Sequence, residues 1–306
     1  MGKATRLSDG RFGRALRWAA VALVVIGGVR AETLRVATYN LSNYNLENRM
    51  ADGVFRREYP KPESEKTALR RVIREIDADV LALQEMGGPA FMRELQRDLR
   101  SEGVDYPHTA ILETGGEPRY LAVLSRRPLQ RVGRHTDLTF PYFGGQEQVR
   151  RGLLEVRLES GGREVVLFVV HLKSRYTERP DDPAATQWRN GEAVAARDRI
   201  LAVSGAPTET AFLVLGDFNA APRDRAVRAF LEKGERELSR LLPAEDSRGE
   251  RWTHVYRRDD SYSRVDHALA SRALVDAATQ ITARIHDGEG VREASDHRPV
   301  VVTIEW

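Results

Sequence analysis

Apolar residues follow two rhythms along this chain. Short runs of continuous or alternating apolar residues predict strands at 34–41, 79–84, 120–125, 153–158, 164–172, 211–216, 265–270, 278–286 and 299–305. Between them, Ala68, Leu69, Val72, Ile73 and Ile76 recur at helical spacing within 63–76, and Phe91, Met92, Leu95 and Leu99 do the same over 91–99. Helices are also expected over 192–203 and 224–231. The 153–158 and 164–172 runs, joined by Ser160-Gly161-Gly162, predict a hairpin. Hairpins among helical crossovers imply mixed sheets covered by helices. No internal repeat interrupts the pattern, and the length suits one enzyme-sized domain behind a short leader.

The polar residues at the strand ends carry the chemistry. The apolar run 211–215 leads into Gly216-Asp217-Phe218-Asn219. If the chain stays extended there, Asp217 and Asn219 project from one side. Ser295-Asp296-His297-Arg298-Pro299 precedes the apolar run 300–304. Thr38-Tyr39-Asn40, Leu83-Gln84-Glu85 and His171-Leu172-Lys173-Ser174 close three more runs, and Arg264-Val265-Asp266-His267 opens a fourth. Acids, amides and imidazoles at several strand ends can hold a hard cation and a phosphate together. Each also has an ordinary structural reading. Asn40 caps a turn, Glu85 caps the helix beyond Gly87-Gly88-Pro89, His171 is a satisfied strand histidine, and Asp266 pairs with Arg264. His267 points away from Asp266 along an extended strand and belongs to the core.

Composition removes several alternatives. There is no cysteine, so disulfides, thiolate-bound zinc and thiol nucleophiles are excluded. Arg11, Arg14 and Arg17 precede the apolar run 18–29 and then Val29-Arg30-Ala31. This is the form of a secretion signal, and the run is shorter than the about 20 residues that span a bilayer. Residues 1–31 are therefore expected to be a cleaved signal peptide and 32–306 the catalytic domain, periplasmic or secreted; an uncleaved anchor is the alternative. Removing six of the 48 basic and one of the 45 acidic residues with the leader leaves 42 against 44, a net charge of −2. The high isoelectric point belongs largely to the leader and gives no argument for nucleic-acid binding.

The ordered strand-end motifs, spanning about 34–306, resemble the endonuclease/exonuclease/phosphatase superfamily, which includes apurinic endonucleases, deoxyribonuclease I and neutral sphingomyelinases. The resemblance implies an α/β (α+β) fold, a four-layer α/β/β/α sandwich of two packed mixed sheets flanked by helices. It implies a metal-dependent phosphodiesterase using Mg²⁺, with Mn²⁺ or Ca²⁺ possible. By the same resemblance Glu85 and Asn40 hold the metal, with Asp296 between the metal and His171. Asp217 activates water, Asn219 holds water or phosphate, and His171 donates to the leaving side. His297 stabilises the transition state, and Asp266 fixes its tautomer. DNA or RNA is the favoured substrate and a lipid headgroup the alternative, alongside a sugar-phosphate ester. An inactive binding module on the same fold is the alternative from another class. A monomer without an obligate protein partner is expected.

Softer candidates surround these residues. Arg119 and Tyr120 open one strand; Arg150 and Arg151 open another and fork a phosphate or cap a surface loop. Lys173 and Arg175 follow His171 at the expected mouth, before a polar loop at 174–188. Phe140, Tyr142 and Phe143 lie in 139–145, expected as a packed loop, with base stacking or membrane contact as the alternative. The leader predicts that N-terminal sequencing of protein from its native host will read from Glu32. A first residue within 1–31 would remove the signal-peptide reading.

Overall fold

The computed structural model describes Met1, Gly2, Ala4, residues 32–116 and residues 118–306. The chain divides into two compact units, Met1–Arg30 and Ala31–Trp306. The expected leader lies almost wholly outside the described residues, and the sheets and helices of the described residues belong to the second unit. No described helix is long and apolar enough to cross a membrane.

Two six-stranded sheets form the centre. The first runs, edge to edge, Gln280–Ile285, Val300–Glu305, Thr33–Tyr44, Val80–Met86, Tyr120–Ser125 and His108–Leu112. The second runs Ser239–Leu241, Asp266–Ser271, Phe212–Asp217, Arg163–His171, Leu153–Ser160 and Arg131–His135. Both are mixed: Thr33–Tyr44 pairs parallel with Val80–Met86 and antiparallel with Val300–Glu305, while Arg163–His171 pairs parallel with Phe212–Asp217 and antiparallel with Leu153–Ser160. The expected hairpin is present, its turn made by Gly161 and Gly162 at φ 60° and 68°.

Period-two alternation divides each strand between two cores. Leu34, Val36, Val80, Ala82, Leu121 and Val123 of the first sheet meet Leu154, Val156, Leu167, Val169, Leu213 and Leu215 of the second in one buried layer. The opposite parity of the first sheet, including Ala37, Tyr39, Leu81 and Leu83, packs under helices Glu63–Ile76 and Pro89–Ser101. The opposite parity of the second, including Phe168, Val170, Phe212 and Val214, packs under helices Thr186–Ser204 and Arg225–Leu231. The four-layer α/β/β/α sandwich is therefore the observed fold.

The departures from the sequence pattern have local causes. Strands His108–Leu112, Arg131–His135 and Ser239–Leu241 form sheet edges and are short or polar. Periodicity does not reveal them. The helix expected from 192 starts at Thr186, because its first turns are polar. The aromatic 139–145 stretch is part of a hairpin, Thr139–Tyr142 with Gly145–Gln148, whose Phe140 and Tyr142 are buried.

Gly216 sits within the strand that delivers Asp217. It has φ 147°, and a Cβ there would fall 1.9 Å from the Val170 carbonyl oxygen on the neighbouring strand. Gly216→Ala should therefore cost about 3 kcal/mol or more, through overpacking and backbone strain together. A denaturant midpoint unchanged from wild type would remove this account of the glycine.

Candidate active site

Four rows of the inter-sheet layer end in polar residues at the same edge. Val36 leads through Thr38 to Asn40, Leu215 to Asp217, Val169 to His171, and Ala268 back to Asp266. Each residue keeps the inward parity of its row, so the polar ends face one another where hydrocarbon stops. His171, Asp217 and Asp266 are adjacent in register across the second sheet. Asn40 reaches across from the first sheet, and its Nδ2 donates to Asp217 Oδ2 at 3.1 Å.

Asp217 is 1% exposed. Its Oδ1 accepts the Asn219 backbone N–H at 2.8 Å, and Asn219 Nδ2 donates to Oδ2 at 3.3 Å and to the Leu172 carbonyl at 2.9 Å. Asn219 has φ 49°, so the pair meets through a turn and not along an extended chain, as the sequence spacing suggested. Burial, with the charges of Asp266 and Glu85, pushes Asp217 up to about 7, although His297 and the Asn219 N–H pull the other way.

The two histidines are held in opposite states. His297 Nδ1 is 2.8 Å from Asp266 Oδ2, and its Nε2 is 3.8 Å from Asp217 Oδ2. Burial alone would lower its pKa, but Asp266, Asp217 and Asp296 raise it well above the ordinary imidazole range. His171 Nε2 lies 3.5 Å from Asp217 and 3.9 Å from Glu85. Burial, then the charges of Arg151, His297 and Arg119, keep His171 neutral. Its Nδ1 and the Asp266 Oδ1 are both buried without a hydrogen-bond partner.

Glu85 reaches the cluster against its parity. It would follow Leu81 and Leu83 outward, but a bulge between Leu83 and Met86 and a φ of 60° turn it around. Its Oε2 accepts the Asn43 N–H at 2.8 Å, and it caps no helix, since Gly88 holds that position. Asn40 therefore contacts Asp217 at this edge, while Glu85 is fixed by Asn43. Asp296 is half-buried beside His254, its Oδ2 3.9 Å from His254 Nε2. His254, missed in the sequence, lies with its ring 4.6 Å from that of His297. No strand pattern announces it, because its short hairpin is local to this edge.

The arrangement fits a divalent cation. Three carboxylates, Glu85, Asp217 and Asp266, crowd one locus, and the charges of the other two add to burial in raising Asp217. Oxygen donors without thiolates suit Mg²⁺, Mn²⁺ or Ca²⁺. Asp217, Asp266 and His297 each bring a donor atom within 4.8 Å of the others, as do His254, Asp296 and His297. His297, held protonated, is the poorest ligand of either set.

Around the cluster, Arg119 Nε donates to Asn43 Oδ1 at 2.7 Å and pairs with Glu47 at 2.9 Å. Tyr120, partly buried, pairs in register with Met86. The Arg150/Arg151 pair divides. Arg150 is exposed with its guanidinium 4.9 Å from the Trp188 ring centroid, whereas Arg151 is the one whose charge reaches His171, Asp217 and Glu85. Lys173 does not reach freely for a phosphate: it is 6% exposed, and its Nζ donates to the carbonyls of Ser174 and Tyr176. Arg264 bonds the carbonyls of Leu242 and Ala244, not Asp266, and His267 is core, its Nε2 2.8 Å from the Ala220 carbonyl.

Such a sandwich, with an acid–imidazole cluster at one edge of its inter-sheet layer, defines a phosphoesterase fold. The sequence matches the Endonuclease/Exonuclease/phosphatase family over residues 37–297, and the chain belongs to that family. No curated protein sequence matches it. Among solved structures, it is similar in fold to the human Nocturnin catalytic domain with bound sulfate anion, at 18% identity, TM-score 0.59, covering 89% of this chain and 94% of that one. Sphingomyelinase C from Streptomyces griseocarneus is similar at 18% identity, TM-score 0.62, covering 89% and 99%. The F277A, P278A mutant of beta toxin from Staphylococcus aureus with bound magnesium ions is similar at 12% identity, TM-score 0.64, covering 88% and 98%.

Asp217 also sets a pH dependence. A carboxyl raised from 3.8 to about 7 holds its proton more tightly when folded. Its ionisation therefore draws stability down as pH rises between those values. His297, raised likewise, keeps its contribution below the ordinary imidazole pKa and loses it only as pH climbs through its own higher value. In EDTA, the denaturation midpoint of Asp217→Asn should rise relative to wild type between about pH 4 and pH 7. A constant offset across that range would assign Asp217 an ordinary pKa.

Proposed function

We propose that this chain is an exported, divalent-cation-dependent phosphodiesterase with nucleic acid as its substrate. The observation that supports it most is the buried Asp217 carboxylate set 3.8 Å from a cationic His297 whose other nitrogen is held by Asp266. Phosphodiester hydrolysis needs an oriented water, neutralised non-bridging oxygens and help for the leaving oxygen. Asp217, with a carboxyl near neutrality, accepts a proton from water positioned by Asn219. His297 donates to a phosphate oxygen as charge develops there. Asp266, accepting from Nδ1–H, keeps the ring charged and oriented so that Nε2–H faces the phosphate. His171, neutral, offers its ring to the leaving side. A divalent cation at Glu85, with Asn40 or Asp296 contributing, would neutralise the phosphate when bound. Arg151 adds fixed positive charge behind the reacting group.

A second reading, hydrolysis of a lipid headgroup, has one observation in its favour. The hairpin Leu46–Ala51 with Val54–Pro60 leaves Leu46, Met50, Val54 and Phe55 between 48% and 61% exposed. Such residues suit a lipid surface.

A panel of single- and double-stranded DNA, RNA, sphingomyelin vesicles and phosphomonoesters decides between these readings. Nucleic-acid cleavage that EDTA abolishes and Mg²⁺ or Mn²⁺ restores is expected. Full activity in EDTA would remove the metal, turnover of sphingomyelin alone would promote the second reading, and no turnover at all would favour a binding module. His297→Ala should lower kcat by on the order of 10²–10³. Asp266→Asn should lower it too, and the double variant should be little worse than His297→Ala. Multiplicative losses would show that Asp266 does not act through His297. Because the pair is buried, removing one partner should also cost about 3–5 kcal/mol of stability, so rates are compared where each variant remains folded.

A further inference from the structure

A cavity of about 300 Å³ is lined by Tyr142, Arg150, Lys173, Tyr176, Arg179 and Trp188 among others, and Lys173 follows His171 by two residues. That volume is at the lower end for small-molecule sites. It is joined to the catalytic strand by one buried carboxylate. Glu192 accepts the Lys173 N–H at 2.6 Å, the Arg150 N–H at 3.1 Å and Trp188 Nε1–H at 3.0 Å. With Lys173 so close to His171 in the chain, this wall cannot shift without disturbing the strand that carries the histidine.

The walls combine π faces with guanidinium planes. The Tyr142 and Trp188 rings lie 4.9 Å apart, and Phe143 lies 4.7 Å from Tyr142. The Arg150 guanidinium is 4.9 Å from the Trp188 ring, and that of Arg179 is 4.3 Å from Phe143 and 5.2 Å from Tyr142. Such surfaces stack planar bases. Charge narrows the ligand further. Asp181 pairs with Arg179 at 2.8 and 2.9 Å, and Glu178 accepts from the Tyr176 hydroxyl. Arg150 and Lys173 are left as the positive groups at the wall. Burial, then the charges of Arg150 and Arg151, push Lys173 down to about 8, although Glu192 pulls the other way. A quaternary ammonium headgroup would meet like charge here, whereas a base with its phosphate meets a stacking face and a cation.

We propose that this cavity is a subsite for an unpaired nucleobase flanking the scissile phosphate, stacked among Tyr142, Tyr176 and Trp188 of its lining, with Arg150 meeting the adjoining phosphate. This rests on the phosphodiesterase reading and names its substrate as a single-stranded or locally opened polynucleotide, since a paired base cannot enter a side pocket.

The test is binding of labelled single-stranded oligonucleotides to the full-length protein in EDTA, by fluorescence anisotropy. Intact strands are compared with strands carrying tetrahydrofuran abasic sites, and sphingomyelin vesicles form a third arm. Abasic strands should bind wild type on the order of tenfold more weakly. Tyr176→Ala should weaken binding of intact strands by on the order of tenfold and leave abasic strands nearly unaffected. Arg150→Ala should weaken both, with a shallower salt dependence. Tyr176 and Arg150 are both exposed, so neither variant threatens the fold. Equal response of intact and abasic strands would overturn the subsite, as would vesicle binding that depends on Tyr176 while strand binding does not. Base-dependent binding without cleavage in Mg²⁺ would keep the subsite and fail the phosphodiesterase reading. Cleavage with base-independent binding would do the reverse.

Discussion

A carboxylate buried at the rim of a hydrocarbon layer is the constraint on which this site depends. Asp217 continues the row of Leu213 and Leu215 and is nearly as inaccessible as they are. An unpaired charge there would cost several kcal/mol, so its surroundings are organised to satisfy it. Asn40 crosses from the other sheet, Asn219 folds back through a left-handed turn, and two imidazoles flank it. The support extends outward. The Ser295 hydroxyl donates to the Asn40 carbonyl and accepts the His297 N–H, tying the first sheet to the histidine that Asp266 holds from the second. The Thr253 hydroxyl accepts the N–H groups of Val265 and Asp266, fixing the acid behind it.

The same environment separates two residues of one type. His297 is held cationic by Asp266, Asp217 and Asp296, which outweigh its burial. Burial, then the charges of Arg151, His297 and Arg119, keep His171 neutral although Asp217 and Glu85 lie 3.5 and 3.9 Å away. Two histidines held in different protonation states can serve opposite sides of one displacement, which is the chemistry proposed for this member of the family.

In the proposed reading the edge of the sandwich supplies the reacting groups, and segments around it supply the substrate walls: the aromatic 139–148 hairpin, the loop before the Thr186–Ser204 helix, and the exposed apolar hairpin ending at Pro60. Glu192 matters because it joins one of these walls to the catalytic strand. Its three accepted hydrogen bonds come from Arg150, Lys173 and Trp188, residues scattered over the sequence.

The sequence by itself determined the strands of both sheets that carry the cluster, the principal helices, and the inward parity of Asn40, His171, Asp217 and Asp266. Those are local properties, since side-chain direction in a strand alternates and a polar residue ending an apolar row must lie at its rim. It also contained His267 as core for the same reason. Tertiary structure decided the rest. Parity sends Glu85 outward, and only the bulge with its left-handed residue brings it in. Spacing makes Asn219 the strand neighbour of Asp217, but a turn sets their contact. His254 enters because its hairpin folds over His297. Of Arg150 and Arg151, only the second brings its charge to His171, Asp217 and Glu85, because the chain turns at these two residues before its strand begins. Lys173, which looked free in the sequence, is held by the carbonyls of its own loop. Hydrogen bonds and charge fields link residues far apart in the chain, so the protonation states of the two histidines were decided only when the sheets packed together.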